Sequence, residues 1–213
     1  MLDIGAGNSL LGYFFKEHGW HSTILEPNTD ACAYQEQYGV KVIPGMLNTC
    51  SFDDSDNYDF INLQYVLEHT YDPVDILSTV RQLMHGDTIL RIQVPNDFSP
   101  GHQAWLEFSQ KEPAWISYPD HINYFNFGSL SRLLSQQGFV EISRDTTFPL
   151  ELLLLTGNDY YNQHNPDINV ARILSEFEQS WKSSKQEHVL ADFYRALANT
   201  GMGRSVIMYL KVD

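Results

Sequence analysis

The feature that most constrains this chain is a glycine-rich turn between a short apolar run and an amphipathic segment. Residues 2–8 read Leu-Asp-Ile-Gly-Ala-Gly-Asn, and Leu10, Leu11, Phe14 and Phe15 then fall on one helical face. Glycines allow a tight turn and a close approach of the backbone to a ligand, and the N-terminus of the helix that follows faces that ligand. The pattern predicts a strand, a turn and a helix; by itself it is equally typical of an ordinary strand-to-helix turn.

The rest of the chain alternates between strand-like and helix-like patterns. Strands are predicted at residues 2–4, 21–25, 40–43, 58–63, 88–94, 139–148 and 204–212. Helices are predicted at about residues 10–18, 29–38, 73–85, 130–137 and, as one or two amphipathic helices, 168–200. This alternation indicates a parallel sheet with crossover helices. Residues 97–128 are rich in aromatic residues and have no clean period, which is typical of a lid or a binding loop.

Charge and composition argue against several classes of function. The net charge is −14 with only 13 lysines and arginines, and these do not cluster, which disfavours a nucleic-acid partner because phosphates need cations to neutralise them. No apolar run reaches 18 residues and no secretory signal precedes the fold, so we expect a cytoplasmic protein that is not membrane-bound.

Cys32 and Cys50 form no CxxC pair and are expected to be reduced thiols. The histidines show no HExxH spacing, so no metal site is predicted.

A carboxylate at the end of the second predicted strand is the next candidate for ligand binding. Glu26 lies 19 residues after Gly7, and an acid about 20 residues beyond a glycine turn can accept hydrogen bonds from ribose hydroxyls. The alternative is a surface glutamate at a strand end. Leu10 stands where a nicotinamide fingerprint has its third glycine, and there is no GxxxxGK[ST] motif. A nucleoside ligand without a pyrophosphate therefore fits the turn better.

Several motifs follow one another in order over about residues 1–148. They are Leu-Asp-Ile-Gly-Ala-Gly at 2–7, Ile-Leu-Glu-Pro-Asn at 24–28, the stretch ending in Val-Leu-Glu-His at 59–69, Val-Pro-Asn at 94–96, and His-Ile-Asn-Tyr-Phe at 121–125 followed by Ser-Leu at 129–130 and Gly-Phe at 138–139. In this order and spacing they resemble the class I methyltransferases that depend on S-adenosylmethionine (SAM). The branch resembled includes ubiquinone-type O-methyltransferases and many uncharacterised bacterial enzymes.

The resemblance implies an α/β fold of the Rossmann-like class I methyltransferase type. Its sheet has seven mostly parallel strands in the order 3-2-1-4-5-7-6, with the last strand antiparallel and helices on both sides. We expect one domain over residues 1–213, with a lid and acceptor segment at about 97–128 and a helical insertion at about 149–203. Relatives normally carry N-terminal helices that close over SAM, whereas this sequence starts inside the first strand; the insertion is expected to replace that cover in part.

The resemblance also implies a cofactor role for individual residues. Asp3, Gly5, Gly7 and Asn8 are expected to line the methionine end of SAM, with Ala6 of the same turn also in contact. Glu26 is expected to hold the ribose, with Pro27, Asn28 and Met46 around the adenine. Gln64 and Tyr65 are expected to lie under the methionine and the sulfonium, whose positive charge suits acidic and aromatic surroundings.

The expected chemistry is an in-line displacement that leaves S-adenosylhomocysteine (SAH), so most of the catalysis should come from positioning the reactants. An oxygen or carbon acceptor can also need a base, and His121 and His69 are candidates because histidine titrates near neutrality. Each histidine has a structural alternative, as a hydrogen-bonding residue of its loop. Tyr124 either orients the acceptor or packs against its neighbours.

The sequence leaves the acceptor open beyond a small molecule methylated on O, N or C, and the oligomeric state open between monomer and homodimer. Trp105, Trp115, Tyr118 and Phe125 form either an acceptor pocket or a small core of their own. One alternative function is a non-catalytic binding or scaffold protein with the same fold. Another is a nicotinamide-dependent oxidoreductase, against which the missing third glycine and the Val-Leu-Glu-His motif argue. A nucleic-acid methyltransferase is opposed by the charge.

Overall fold

The computed structural model describes residues 1–47, 52, 57–161 and 168–212. Cys50 and the acidic loop at 53–56 lie outside the described residues, whereas Cys32 is a free, buried thiol. In the described part of the chain no helix is both long and apolar enough to cross a membrane.

All seven predicted strands are present in the described residues, and the helices at Pro100–Ser109 and Glu151–Leu155 are additions to the predicted ones. The strands are β1 (Leu2–Ile4), β2 (Thr23–Glu26), β3 (Lys41–Pro44), β4 (Phe60–Gln64), β5 (Ile89–Pro95), β6 (Phe139–Asp145) and β7 (Ser205–Val212). The α-helices are α1 (Leu11–Glu17), α2 (Thr29–Glu36), α3 (Pro73–Gln82), α4 (Pro100–Ser109), α5 (Phe127–Gln136), α6 (Glu151–Leu155), α7 (Val170–Ser183) and α8 (Glu187–Asn199), and a short 3-10 helix spans Leu67–His69.

The seven strands form one mixed sheet in the order β3-β2-β1-β4-β5-β7-β6, which confirms the predicted fold class and strand order. β1 lies in parallel between β2 and β4, β3 pairs in parallel with β2, and β5 pairs in parallel with β4. The register aligns Asp3 of β1 with Asn62 of β4, and Asn62 with Arg91 of β5. Because these strands are parallel, their carboxyl ends meet at one edge of the sheet, where ligands bind in such folds.

Local capping sets two of the helix starts that the sequence predicts. The side chain of Asn28 accepts hydrogen bonds from the backbone N–H groups of Asp30 and Ala31 at 2.9 and 3.0 Å. Asp72 caps α3 in the same way, and Pro73 occupies the first turn, where its missing N–H has no intrahelical partner to lose. Both caps confirm the predicted starts of these helices, which end slightly earlier than predicted, at Glu36 and Gln82.

The chain forms two compact units. The first comprises Met1–Val94, Ser129–Ser143 and Ile207–Asp213 and contains most of the sheet. The second comprises Pro95–Gly128 and Arg144–Val206. The expectation of a single domain over residues 1–213 stays a prediction.

The second unit contains a helix where the sequence suggests only a lid or loop. Ser99 caps α4 by accepting a hydrogen bond from the backbone N–H of His102 at 3.2 Å, and α4 packs against α6. Trp105 and Trp115 are buried together with Leu154, so these aromatic side chains form a small core of the unit. The expectation of an irregular segment is wrong over α4. The buried side chains of this helix pack into the local core, and they do not form the simple apolar stripe by which a helix is recognised in a sequence. Tyr118, which the sequence groups with Trp105, Trp115 and Phe125 as a pocket or a core, is exposed.

The second unit also buries ionisable side chains. Burial and, to a smaller extent, the positive charge of Arg204 lower the pKa of His102 to about 4, so this histidine is neutral at physiological pH. Burial raises the pKa of Asp97 to about 6, and the charge of Arg204 opposes that rise. Glu151 is fully buried and accepts a hydrogen bond from the backbone N–H of Gly203 at 2.7 Å. These polar groups help to hold the start of β7 within the unit.

We expect alanine substitutions at three glycines to separate two costs in the turn after β1. Gly5 has a φ of 69° and a Cβ there would lie 2.6 Å from a methyl carbon of Val66, whereas Gly7 has a φ of 52° and no neighbouring atom within 4 Å. Gly7→Ala should lower the free energy of unfolding by about 1–2 kcal/mol through backbone strain alone. Gly5→Ala should lower it by about 2–5 kcal/mol, because overpacking adds to the strain.

Gly86 supplies the control for this series, because it lacks a left-handed φ and has open space around it. Gly86→Ala should leave the stability unchanged or raise it by about 0.4–1 kcal/mol. Urea unfolding followed by circular dichroism measures all three variants. Equal stabilities of the Gly5→Ala and Gly86→Ala proteins would contradict the predicted close packing of the turn.

Candidate functional site

Two cavities of the first unit contain most of the residues predicted to bind the cofactor. The larger has a volume of about 620 Å³ and is lined by Gly7, Asn8, Glu26, Asn28 and residues of α2. The smaller has a volume of about 180 Å³ and is lined by Asp3, Gly5, Ala6, Ser9, Asn62, Gln64 and Tyr65. Both include residues at or just beyond the carboxyl ends of the parallel strands.

Glu26 joins the glycine turn to the start of α2. Only 5% of this residue is exposed, and its two carboxylate oxygens accept hydrogen bonds from the backbone N–H groups of Gly7 at 2.7 Å and Asn28 at 2.8 Å. A carboxylate has about four lone-pair positions, so two bonds leave it able to accept others. Glu26 is therefore a fixed, buried acceptor in the wall of the larger cavity.

Gln35 of α2 holds the same turn from the other side. Its side chain is fully buried, and its Nε2 group donates hydrogen bonds to the carbonyl oxygens of Gly7 and Ser9, both at 2.7 Å. The backbone N–H of Gly5 donates to the carbonyl of Leu25 in β2 at 2.8 Å. Sequence reasoning missed Gln35, because a glutamine inside a helix belongs to no motif and only its burial marks it.

Asp3 is a buried carboxylate in the smaller cavity. One of its oxygens accepts a hydrogen bond from Nδ2 of Asn62 at 2.7 Å, and among the described residues the other oxygen has no hydrogen-bond partner. Burial raises the pKa of Asp3 to about 6; the hydrogen bond from Asn62 and the charge of Arg91 oppose this rise, and the charge of Glu26 adds to it. A cationic ligand next to this acceptor would therefore stabilise the ionised form of Asp3.

Arg91 lies at the centre of a polar network on β4 and β5. Its Nη1 group donates to the side-chain oxygens of Asn62 at 2.8 Å and Gln64 at 3.0 Å, and its Nη2 group donates to Oε1 of Gln93. Nε2 of Gln93 in turn donates to the hydroxyl of Tyr65 at 2.7 Å. Arg91 and Gln93 belong to no motif, and nothing in the motif at 59–69 marks Asn62 as their partner; strand pairing brings the three side chains together.

Tyr65 follows β4 in a left-handed conformation. Its φ is 55°, its backbone N–H donates to the carbonyl of Gln93 at 2.8 Å, and 41% of the residue is exposed. A non-glycine residue in this region costs about 1–2 kcal/mol, and it persists where the surrounding structure over-determines it. The network around Gln93 supplies that constraint at both ends of the tyrosine.

Not every residue of the predicted cofactor set lines one of these two cavities. Ala6 lines the smaller one and also packs in a core cluster with Ile24 and Val40. Pro27 and Met46 line neither, and Met46 is 60% exposed. Met46 follows Gly45, whose N–H donates to the carbonyl of Glu26 at 3.0 Å, so the loop after β3 is tied to the end of β2.

The three candidates for acid–base or acceptor roles occupy loops and a short helix. His69 is exposed at the end of the 3-10 helix of the first unit. His121 and Tyr124 belong to the second unit, where Nε2 of His121 lies 3.9 Å from a carboxylate oxygen of Asp120. The Tyr124 hydroxyl accepts from the backbone N–H of Ser117 at 3.2 Å and donates to the carbonyl of His121 at 3.1 Å. These bonds give Tyr124 a structural role in its loop.

Comparison with known proteins identifies the family. Residues 1–143 match the family described as a methyltransferase domain. No curated protein shows significant similarity to the sequence.

Solved structures of methyltransferases share the fold at low sequence identity. A SAM-dependent methyltransferase from Thermotoga maritima has a TM-score of 0.60 and 14% identity, with 99% of this chain and 80% of that chain covered. One from Archaeoglobus fulgidus has a TM-score of 0.57 and 19% identity, with 99% and 84% covered. The plantazolicin methyltransferase in complex with a triazolic desmethyl-plantazolicin analogue and SAH has a TM-score of 0.57 and 12% identity, with 100% and 76% covered.

The family match covers about two thirds of the chain, and it agrees with the strand order and with the glycine turn at the end of β1. The chain therefore belongs to the methyltransferase domain family and is a SAM-dependent methyltransferase.

Proposed function

We propose that this enzyme transfers the methyl group of SAM to a small-molecule acceptor through an oxygen, nitrogen or carbon nucleophile. The observation that carries the proposal is the buried carboxylate of Glu26, held by the backbone N–H groups of Gly7 and Asn28 in the wall of the larger cavity. We assign the ribose to Glu26 and the adenine side to Pro27, Asn28 and Met46.

The residues at the two cavities fit the polar groups of SAM. Glu26 keeps acceptor capacity for the ribose hydroxyls, which are donors. The Asp3 oxygen without a partner among the described residues suits the ammonium group of the methionine end. A Cβ at Gly7 would meet no atom within 4 Å, so the turn has open space beside it for a ligand. We assign Asp3, Gly5, Ala6, Gly7 and Asn8, with Gln64 and Tyr65, to the methionine end.

When bound, SAM supplies a methyl group on a positively charged sulfur, and the protein supplies position. The glycine turn is fixed by Glu26 and Gln35, and Tyr65 is fixed by Gln93, so these groups need little reorganisation when a ligand enters. Well-oriented reactants gain several kcal/mol relative to free ones, up to about 7–11 kcal/mol. For an acceptor that must lose a proton, His121 and His69 are the proposed bases, and Tyr124 holds the loop of His121.

A small molecule is the acceptor class that charge and structural similarity favour. The net charge of −14 opposes binding to nucleic acid, whose phosphates need cationic partners. The Thermotoga maritima neighbour is described as a possible histamine N-methyltransferase, and the plantazolicin methyltransferase was solved with a triazolic desmethyl-plantazolicin analogue and SAH. At 14% and 12% identity these neighbours share the fold, and they support the acceptor class without naming the acceptor.

Replacing Glu26 by glutamine should weaken SAM and SAH binding. In the wild-type protein each carboxylate oxygen accepts a backbone N–H, and the substitution places an NH2 donor opposite one of these N–H groups. It also removes a charged acceptor from the ribose site. We expect the Kd measured by calorimetry to rise about tenfold or more, which corresponds to about 1.4 kcal/mol or more.

Glu36→Gln is the matched control, because Glu36 lies exposed on α2 and loses the same charge. This variant should bind SAH like the wild-type protein, and thermal melting should show that both variants are folded. If folded wild-type protein binds neither SAM nor SAH, the catalytic proposal is wrong and the scaffold interpretation is favoured.

The proposed bases are tested with an acceptor found by screening phenols, amines and carbon acids for SAH formation. Loss of a general base should lower kcat by about 10²–10⁴-fold while the Kd for SAH stays unchanged. We expect this result from His121→Asn or from His69→Asn, and His188→Asn on the exposed face of α8 is the control. Unchanged kcat in both test variants would exclude both histidines as bases for that acceptor.

A further inference from the structure

We propose that Arg91 is a positioning residue of the cofactor site, which sets the orientation of three side-chain amides on β4 and β5. The inference rests on the proposed function, because it assigns the smaller cavity to the methionine end of SAM. Arg91 itself lines neither of the two cavities described above and acts through the residues that it holds.

One guanidinium contacts the oxygen atom of each amide. Arg91 donates to Oδ1 of Asn62, Oε1 of Gln64 and Oε1 of Gln93. Each amide has one acceptor oxygen and one NH2 donor, so a cation on the oxygen determines which way the amide is turned. The two NH2 groups with partners confirm this arrangement: Asn62 donates to Asp3 at 2.7 Å and Gln93 donates to Tyr65 at 2.7 Å.

The third amide belongs to a residue of the smaller cavity. Gln64 lines that cavity together with Asp3 and Tyr65. With its oxygen on Arg91, Gln64 has its NH2 group left as the donor that it can offer to a ligand. Arg91 therefore determines which hydrogen-bonding group each of three cavity residues meets or presents. Asp3 meets the NH2 group of Asn62, Tyr65 meets the NH2 group of Gln93, and Gln64 presents its own NH2 group.

The register of the sheet explains why an arginine in β5 can reach all three amides. Asn62 pairs with Arg91 and Gln64 pairs with Gln93, so these four side chains lie on one face of neighbouring strands. The planar guanidinium carries five donors in a rigid fork, whereas a lysine ammonium is a point charge that cannot bridge three acceptors in the same way.

The position of this network inside the sheet points to function and not only to packing. β5 lies between β4 and β7, and Leu90, Ile92 and Val94 of the same strand are fully buried. Strands in such sheets are normally apolar on both faces, and polar side chains there cost stability unless they are paired. The paired groups of this network end at Asp3 and Tyr65, both in the smaller cavity.

Two variants of Arg91 separate geometry from charge. Arg91→Lys keeps the positive charge and loses the three-way bridge, and Arg91→Met loses both. We expect both full-length variants to bind SAH about tenfold more weakly or worse, the scale of a lost hydrogen bond to a charged group. Arg172→Lys, at an exposed site on α7, is the matched control and should bind SAH like the wild-type protein.

The pH dependence of SAH binding supplies a readout that a purely structural role would not change. Ionised Asp3 favours the ammonium group of SAH, so binding should tighten as the pH rises through the Asp3 pKa, which burial has raised to about 6. The groups that act on Asp3 are Asn62, Arg91 and Glu26. Arg91→Met should move the midpoint to higher pH, because a nearby positive charge is lost. Arg91→Lys should keep it near that of the wild-type protein, and Asp3→Asn should abolish the step.

The side-chain amide signals of Asn62, Gln64 and Gln93 in ¹H–¹⁵N spectra of the ligand-free protein test the network without any cofactor. We expect these signals to be resolved in the wild-type protein and to shift or broaden in Arg91→Lys. The Arg91→Lys variant is sufficient for the test if Arg91→Met fails to fold. Wild-type SAH affinity together with unchanged amide signals in folded Arg91→Lys would overturn the proposal. A wild-type protein that shows the amide signals and binds no SAH would instead refute the proposed function.

Discussion

Glu26 ends β2 with one carboxylate oxygen on the amide of Gly7 and the other on the amide of Asn28. Through these two bonds one side chain couples the turn after β1 to the start of α2, so the glycine turn, the helix cap and the larger cavity share one anchor. Gln35 strengthens the coupling by donating to the carbonyls of Gly7 and Ser9. Because the anchor is a buried anion that accepts backbone hydrogen bonds, it is prepared to accept further donors from a ligand.

A second constraint lies beside this anchor, where the sheet carries polar side chains in place of apolar ones. Arg91 is surrounded by amide oxygens, and its charge partly offsets the cost of burying the carboxylate of Asp3. The two constraints differ in kind: Glu26 organises backbone, whereas Arg91 organises side chains. Together they describe a proposed cofactor site whose groups are held before a ligand arrives, which is the arrangement that favours catalysis by positioning.

Several features of the fold and the site were predictable because they depend on neighbouring residues. The caps at Asn28 and Asp72 and the left-handed glycines at 5 and 7 follow from local chemistry, and the structure contains each of them. α4 was not predicted, although a serine followed by a proline is a common start of a helix. Its apolar side chains pack in a local core with Leu154 of α6, and a pattern that is satisfied by a distant segment shows no clear period in the sequence.

The sequence by itself determined the order of the strands and of most helices, the glycine turn, the acid at the end of β2 and, through them, the family. These are encoded in consecutive residues, because periodicity and turn chemistry act over a few positions. Only the tertiary structure decided that Arg91 meets Asn62, 29 positions earlier, and that Gln35 meets Gly7, 28 positions earlier. No local preference specifies such contacts. They arise because strand register and helix packing bring distant side chains into hydrogen-bonding distance, where burial makes each unpaired polar group costly.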